Sequence, residues 1–432
     1  GLVGSEMCIR DRRKAVYTGN ANLHMIMNIL LLSTIYPLPS RENKGTSVCH
    51  YFTKEWVKEG HNVRVVHYQA VYPFFYYWAA RVARDLITAK TGAVVYTKRD
   101  KGAQYEWDGV QVLRIPLFKP IPHGRFLSIS IRKSIQKIVN SNTEADFIPD
   151  IIVGHFPNPQ IEVVAKLKSI YSSATTAIIM HENFDLEGVY GERFKCFYNK
   201  IDLWGFRSKK YREDFEERYG KLKHSFICYS GVPASYITES NTHSFEKPLS
   251  KFIYVGEMIQ RKYPAEIIEA LVNVYEDKNF HIDYVGNGHE LETIKLKMKK
   301  YHLESQVTIC GRIPRDEIKA KYDNADCMIM ISRREVYGLV YLEAMARGCI
   351  TIASKKEGFD GVIEDGVNGF LCEAGNIQEL ANIIRKINKL TPDERLAVSE
   401  RAIETARRLT DKNAADLYLN LSLIHISEPT RP

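Results

Sequence analysis

Two glutamates eight positions apart, Glu335 and Glu343, mark the stretch SRREVYGLVYLEAMARGC at residues 332–349. The apolar run from Leu339 predicts a helix that begins near Gly338, so Glu335 precedes the helix and Glu343 lies inside it. The first N–H groups of a helix have no partner within the helix and attract anions. Carboxylates suit sugar hydroxyls and free amides suit phosphate, so this pattern predicts a nucleotide-sugar site. Alternatively, Glu343 is only the solvent-facing residue of an amphipathic helix.

Two further turns carry residue types suited to phosphate. RENKGTS (41–47) follows an apolar strand pattern, and its Gly45 would let the backbone approach a ligand closely. GEMIQRK (256–262) ends in Arg261 and Lys262, and such cations bind diphosphate oxygens. Each turn also has a plainer interpretation, since Gly45 could be an ordinary turn residue and the two cations a solvated basic pair.

Strand and helix patterns alternate along the chain in two series, which must position these turns. The first series begins with MNILLLSTIY and the second with FIYVGE. Buried β-branched strands separated by helices predict an α/β fold with two parallel, doubly wound sheets, in which ligands bind beyond the carboxyl ends of the strands. The polar stretch at 239–250 separates the series. We therefore predict an N-terminal domain at 27–248 and a C-terminal domain at 249–420.

Both ends of the chain are predicted to lie outside this fold. LVGSEMCIRDR and LSLIHISEPTR, at residues 2–12 and 421–431, look like translations of a sequencing adapter. Residues 1–26 and 421–432 are therefore expected to contribute nothing to either core. Without the upstream residues, the first apolar run is a buried strand and not a secretory signal. No stretch of the sequence reaches the roughly 18 apolar residues that a membrane-spanning helix needs.

Charge and cysteine usage narrow the class of protein. The net charge is +8, and it is confined to the first predicted domain, since residues 27–248 carry +8 and residues 249–420 carry −2. The eight cysteines are scattered without a C-x-x-C pair, which favours a reducing, cytoplasmic compartment over a disulfide framework or a zinc site. The basic excess alone fits either a nucleic-acid partner or an anionic membrane or lipid partner.

Several motifs together give residues 27–420 a resemblance to a known family. The segment 332–376 carries Glu-x7-Glu followed by ITIAS and VIEDGVNGFL, and YVGEMIQRKYPAEIIEAL matches a donor-phosphate segment. MNILLLSTIYP and EGHNVRVVHY match the segments with which members of the same family usually begin. The chain in these parts resembles the family-4 retaining glycosyltransferases, including members that build bacterial surface polysaccharides. The resemblance implies the GT-B fold, in which two Rossmann-like domains face each other across a cleft. It also implies that the N-terminal domain, 27–248, binds the acceptor and that the C-terminal domain, 249–420, binds the nucleotide-sugar donor.

The resemblance also implies roles for individual residues. Many members carry arginine where Glu257 stands here, so the cation that meets the leaving group is expected to be supplied by the nearby basic pair. His181, which ends the strand pattern TAIIMHE, matches a histidine that touches the donor sugar, although it could instead be a strand-end histidine bonded to backbone. The implied contacts are Glu343 to the ribose hydroxyls, Glu335 to the transferred sugar, Gly338 and Leu339 amides to the sugar or diphosphate, Arg261 and Lys262 to the diphosphate, and Gly45 and His181 to the donor.

The predicted activity is transfer of a sugar from a nucleotide diphosphate donor to a hydroxyl acceptor, with retention at the anomeric carbon. The resemblance implies that neither a metal ion nor a cofactor besides the donor is needed, and it disfavours a nucleic-acid partner. Two alternatives stay open: a nucleotide-sugar epimerase of the same fold, and a non-catalytic subunit that binds nucleotide sugars. The donor base, the sugar and the acceptor are not readable from the sequence.

A dense aromatic run bears on where the protein works. In VYPFFYYWAARVARDLITAK (71–90), Phe74, Phe75 and Trp78 precede Arg81. Aromatic side chains beside cations suit the interface of an anionic membrane. On this interpretation the protein is peripheral on the cytoplasmic face, and its acceptor is lipid-linked or a glycan. The alternative is that these aromatics form core or line an acceptor groove.

Overall fold

A computed structural model of the chain describes most residues and divides them into two compact units. The first unit comprises the described residues up to Ile179 together with Asp185–Leu203, and the second comprises Met180, His181, Phe184 and the described residues from Trp204 onward. Gly45 lies outside the described residues. For 84–91 and 421–424 only the backbone is described. The described ranges are 26–38, 47–91, 96–121, 124–181 and 184–424.

Strands and helices alternate in the first unit as the sequence predicts. The chain elements up to residue 198 are β1 (Asn28–Ser33), α1 (Val48–Lys58), β2 (Asn62–Val71), α2 (Phe74–Thr91), β3 (Ala103–Trp107), β4 (Val110–Phe118), α3 (Ser128–Glu144), β5 (Ile151–His155), α4 (Pro157–Lys168), β6 (Thr175–Met180), α5 (Leu186–Tyr190) and α6 (Arg193–Tyr198).

The sheet of the first unit is wound in two directions from its centre. Its strands follow the order β3-β4-β2-β1-β5-β6, and all neighbouring pairs are parallel except β3 and β4. The side chains of β1 from Ile29 to Ser33 are buried, as expected of a strand covered on both faces. The winding reverses between β1 and β5, the position at which doubly wound sheets bind ligands.

The antiparallel hairpin formed by β3 and β4 is absent from the sequence prediction. Its two-residue loop is Asp108-Gly109, and both residues have positive φ, at 51° and 77°. Asp-Gly between two strands is a strong hairpin signal because the tight turn requires positive φ at both positions. The hairpin could therefore have been predicted from this dipeptide.

The second unit contains a longer alternating series that ends in three consecutive helices. Its elements are β7 (Leu203–Phe206), α7 (Lys209–Tyr219), β8 (Ser225–Ile227), β9 (Lys251–Val255), α8 (Pro264–Val274), β10 (His281–Val285), α9 (Leu291–Tyr301), β11 (Val307–Gly311), α10 (Arg315–Asp323), β12 (Cys327–Ile329), α11 (Leu339–Ala346), β13 (Ile350–Ser354), β14 (Phe370–Cys372), α12 (Ile377–Lys389), α13 (Pro392–Arg408) and α14 (Asp411–Ile424).

The main sheet of the second unit is entirely parallel and also doubly wound. Its order is β11-β10-β9-β12-β13-β14, so the winding reverses between β9 and β12. The strand β9 is buried from Phe252 to Val255, and α11 is buried over most of its length. The turns that follow β9 and β12 therefore leave the sheet side by side at the switch point, where the topology predicts a ligand. No helix in the described ranges combines the length and hydropathy that a bilayer crossing requires.

Candidate active site

The helix α11 begins at Leu339 with Gly338 as its N-cap, which confirms the predicted helix start. Gly338 has a φ of 78°, a left-handed conformation that glycine adopts without strain. A Cβ at this position would lie 2.3 Å from Cε2 of Tyr341, so glycine is also required by space. The Tyr341 hydroxyl donates to the Met330 carbonyl at 2.6 Å and ties the helix to the end of β12.

Glu335, Arg261 and Lys262 are brought together because β9 and β12 are neighbouring strands. Oε2 of Glu335 lies 3.2 Å from Nζ of Lys262 and 3.6 Å from Nη1 of Arg261. The two turns are also joined through the backbone, where the Arg333 N–H donates to the Arg261 carbonyl at 2.7 Å. Three residues that the sequence analysis selected from distant positions thus form one cluster.

The Glu335 carboxylate is the least satisfied group of this cluster. Its Oε2 atom is buried and accepts no hydrogen bond from the described residues, because the Lys262 ammonium approaches as an ion pair without hydrogen-bond geometry. Such an atom is suited to accept a hydrogen bond from a bound ligand.

Glu357 and Gly358 fix the turn that carries Glu335. Oε2 of Glu357 accepts the Glu335 N–H at 3.0 Å, and the Gly358 N–H donates to the Glu335 carbonyl at 2.8 Å. A Cβ on Gly358 would lie 2.3 Å from the backbone of Val336, so only glycine allows this approach. Burial raises the pKa of Glu357, while the N–H donors of the turn oppose that rise.

Glu343 is buried and paired with an arginine that the sequence analysis did not select. Its Oε1 accepts from Nε of Arg315 at 3.1 Å and from Nη2 at 2.8 Å. Burial raises the pKa of Glu343, and the Arg315 guanidinium opposes the rise. The guanidinium also lies over the Tyr236 ring, 5.1 Å from its centroid. The interpretation of Glu343 as a solvent-facing helix residue is wrong, since it is 6% exposed.

The structure gives less detail for the other residues that the sequence analysis named. His181 directly follows β6 and is half-buried, and Gly45 lies outside the described residues. Glu257 is exposed, and its carbonyl accepts from the Tyr254 hydroxyl at 2.8 Å. Arg315 and Glu357 were missed because each acts on a predicted residue through a contact across the fold, which no spacing reveals. The only sequence signal for Arg315 is its place at the first position of α10, after β11.

Comparison with known proteins finds a family model that matches the part of the chain containing this site. Residues 237–408 match the family model described as glycosyl transferases group 1. The matched segment lies within the second unit and includes Arg261, Lys262, Glu335 and Glu343. Residues 237–408 are therefore similar to the glycosyl transferases group 1 family.

Characterised relatives share parts of the chain. N-acetyl-alpha-D-glucosaminyl L-malate synthase of Bacillus anthracis is 30% identical over 155 residues, which are 35% of this chain and 39% of that protein. Poly(glycerol-phosphate) alpha-glucosyltransferase of Bacillus subtilis is 26% identical over 281 residues, which are 60% of this chain and 38% of that protein. The chain thus spans about two fifths of the length of each of these relatives.

Solved structures agree with the fold over nearly the whole chain. Sucrose-phosphate synthase from Thermosynechococcus elongatus superposes with a TM-score of 0.65 at 16% identity, covering 92% of this chain and 99% of that one. HepE of Anabaena, solved in complex with UDP, gives a TM-score of 0.64 at 17% identity and covers 91% of this chain and 99% of that one. The predicted two-domain α/β fold of the GT-B class is confirmed.

Proposed function

We propose that the protein is a retaining glycosyltransferase that moves a sugar from a nucleotide diphosphate donor to a hydroxyl acceptor. The observation that carries this proposal is the buried, unsatisfied Oε2 of Glu335 beside Lys262 and Arg261 at the switch point of the sheet. An acceptor atom beside two cations matches a ligand that offers both hydroxyl donors and phosphate oxygens. A nucleotide sugar offers both.

The cations would stabilise the charge that develops on the departing diphosphate. In the proposed transfer, the bond between the anomeric carbon and the phosphate oxygen breaks as the acceptor hydroxyl forms its bond to that carbon. The acceptor proton passes to the leaving phosphate. We assign Arg261, Lys262 and the free amides at the start of α11 to the diphosphate, where each pre-oriented donor is worth on the order of 10²–10³ in rate. These groups would replace a metal ion in this role, and no other cofactor is proposed.

Glu335 is assigned to the transferred sugar and Glu343 to the ribose. Retention by a covalent route would need a carboxylate free to attack the anomeric carbon. The Glu335 carboxylate is instead held beside two cations, which favours attack on the same face that the phosphate leaves. For Glu343, the Arg315 pair orients the carboxylate through Oε1. His181 and Gly45 are proposed to contact the donor as the family resemblance implies.

The acceptor is proposed to be a glycan or a lipid-linked sugar in polysaccharide or glycolipid synthesis, on the cytoplasmic side of the membrane. The name of the Bacillus subtilis relative, a poly(glycerol-phosphate) alpha-glucosyltransferase, supports a surface-polymer acceptor. The described cysteines are all free thiols, which fits a reducing compartment.

A donor panel tests the proposal directly. The protein is incubated with UDP, GDP, ADP and dTDP sugars, and thermal unfolding and release of nucleoside diphosphate are measured. One donor class is expected to raise the unfolding temperature and to be hydrolysed slowly without an acceptor. The effect should be lost in Lys262→Ala and kept in Lys299→Ala, which removes an exposed lysine of α9.

The outcomes separate the proposal from its rivals. An epimerase would release the epimer of the donor sugar and would transfer nothing to an added glycan or polyprenyl phosphate acceptor. A binding subunit would show the thermal shift without any turnover. If no nucleotide sugar shifts the unfolding temperature, the assignment of Arg261, Lys262 and Glu335 to a donor is wrong.

A further inference from the structure

The helix α2 presents a face of large apolar side chains to solvent. Phe74, Phe75, Trp78 and Val82 are between 68% and 81% exposed. Their spacing places Phe74, Trp78 and Val82 on one side of the helix, one turn apart. On the opposite side, Tyr77 and Ala80 are buried. The interpretation of these aromatics as core is therefore wrong for Phe74, Phe75 and Trp78.

A second apolar segment leaves the sheet beside the start of α2. The Lys119 N–H donates to the Val71 carbonyl at 2.8 Å, so β2 and β4 end next to each other. The Leu127 N–H returns to the Phe118 carbonyl at 3.2 Å. This returning segment exposes further apolar side chains: Ile121, Leu127 and Ile129. We call the exposed side chains of both segments the apolar edge: Phe74, Phe75, Trp78, Val82, Ile121, Leu127 and Ile129.

The apolar edge is large for a surface that faces water. Its three aromatic side chains alone expose on the order of 400 Å². The largest apolar patch of a typical monomer is about 300–600 Å² in total, and the edge adds four aliphatic side chains to the aromatics. Exposed apolar area of this size is unusual on a monomer and favours a site that a partner covers.

The sequence segments that carry the apolar edge are basic, which favours an anionic partner. Residues 71–101 contain six Lys or Arg and two Asp, and residues 119–133 contain four Lys or Arg and no acidic residue. On α3, Arg132 and Lys133 are exposed one turn after Ile129, on the same helix face. Exposed apolar side chains accompanied by cations match a bilayer of anionic lipids, in which the apolar groups enter the acyl region and the cations meet the headgroups.

We propose that the apolar edge docks the first unit on an anionic membrane surface. The edge lies where β2 and β4 end, and the carboxyl ends of such strands bind ligands in doubly wound sheets. Docking would therefore place the ligand-binding edge of the first unit at the bilayer. If the proposed transferase activity holds, this position favours a lipid-linked acceptor; the docking itself does not depend on that activity.

Vesicle co-sedimentation of the full chain tests the proposal. Vesicles of equal parts phosphatidylglycerol and phosphatidylcholine are compared with pure phosphatidylcholine. The wild type should sediment with the anionic vesicles at low salt and be released at about 1 M salt, where the Debye length falls to about 3 Å. The variant Phe74→Ser/Phe75→Ser/Trp78→Ser should bind at least about tenfold more weakly. Because these side chains are exposed, it should unfold at the wild-type temperature.

A matched pair of single variants isolates the surface. Ile129→Ser changes a residue that is 61% exposed on the apolar edge, and Ile148→Ser changes one that is 63% exposed ahead of β5, at the opposite end of the sheet. Only Ile129→Ser should weaken vesicle binding, and Arg132→Gln/Lys133→Gln should weaken it at low salt only.

Three results would overturn the docking proposal. These are a wild type that stays in the supernatant with anionic vesicles at low salt, equal binding by the two isoleucine variants, or self-association that the triple variant abolishes, since the edge would then bind a second copy. The donor-induced thermal shift is measured in parallel. Vesicle binding with no such shift would refute the transferase proposal alone, and a shift with no vesicle binding would refute docking alone.

Discussion

Arg315 donates two N–H groups to a single carboxylate oxygen of Glu343, at 3.1 Å from Nε and 2.8 Å from Nη2. The carboxylate is nearly inaccessible, so the pair must be kept together: removing one partner of a buried ion pair typically costs about 3–5 kcal/mol. The contact joins the start of α10 to the middle of α11. It gives Glu343 a fixed orientation, which a residue that selects ribose hydroxyls would require.

Replacing Glu343 should weaken nucleotide binding itself. Glu343→Gln keeps the size of the side chain and removes the charge, so it loses charge-assisted hydrogen bonds worth about 1.5–3 kcal/mol each. If the donor panel selects UDP sugars, we expect UDP affinity, measured by calorimetry, to fall by roughly 10- to 100-fold. For another donor class, the corresponding nucleoside diphosphate and nucleoside replace UDP and uridine in this test and in the next two. Folding is checked by thermal unfolding. Unchanged UDP affinity in a folded Glu343→Gln protein would refute the ribose role and leave a structural partner for Arg315.

Replacing Glu335 should act on turnover more than on nucleotide binding. Its carboxylate is assigned to the transferred sugar, which UDP lacks, so Glu335→Gln should keep UDP affinity within about threefold. The rate of transfer should fall by about 10²-fold or more. Parallel calorimetry and turnover assays compare the two losses. A loss of UDP affinity as large as the loss of rate would place Glu335 at the nucleotide instead.

Arg261 and Lys262 should distinguish a diphosphate from a nucleoside. Replacing either cation with alanine should weaken UDP binding by about tenfold or more, since hydrogen bonds to charged groups contribute about 1.5–3 kcal/mol. Uridine affinity should change little, because uridine has no phosphate. Calorimetry with both ligands measures the difference. Equal losses for UDP and uridine would indicate that the two cations only support the Glu335 turn.

Gly338 should tolerate substitution less well than a glycine with the same backbone conformation. Gly366 has a φ of 77° and no atom within 4 Å of the position of its missing Cβ, whereas a Cβ on Gly338, at φ 78°, would meet Tyr341. Gly366→Ala should cost about 1–2 kcal/mol from backbone strain alone, and Gly338→Ala should cost at least about 1 kcal/mol more. Urea unfolding measures both. Equal costs would show that Tyr341 moves aside freely.

His67 on β2 should make the protein less stable in mild acid. It is 2% exposed, and burial, aided by Arg114, lowers its pKa to about 3. The unfolded chain, with an ordinary histidine pKa of about 6.5, binds a proton that the folded state excludes. The free energy of unfolding should therefore fall as the pH falls below about 6.5, by about 2 kcal/mol between pH 7 and pH 5.

The variant His67→Gln tests this assignment because glutamine does not titrate. Its difference in unfolding free energy between pH 7 and pH 5 should be smaller than that of the wild type by about 2 kcal/mol. His289→Gln, which changes a mostly exposed histidine, is the control and should behave like the wild type. If both variants retain the full pH dependence, the acid sensitivity has another source.

The alternating pattern of the sequence was sufficient to predict the fold class, which the structure confirms. Buried strands such as FIYV read as continuous apolar runs, and parallel strands require helical crossovers, so local composition already implies doubly wound sheets. The glycine at the start of α11 was readable too, because a helix start has local signals. The hairpin at Asp108-Gly109 also has a local signal, because an Asp-Gly dipeptide between two strand patterns favours a tight turn.

Contacts between residues that are distant in the sequence could not be predicted from local patterns in this way. Glu335 meets Lys262 because β9 and β12 are neighbouring strands, although Val255 and Glu335 are 80 positions apart in the sequence. Arg315 and Glu343 meet because the start of α10 lies beside α11 in the fold. The sequence around either residue does not indicate which residue it pairs with. Likewise, composition could not decide whether Phe74 and Trp78 were core or surface. Sequence sets which residues can form strands, turns and ion pairs, whereas long-range packing alone decides which of them meet and which stay in water.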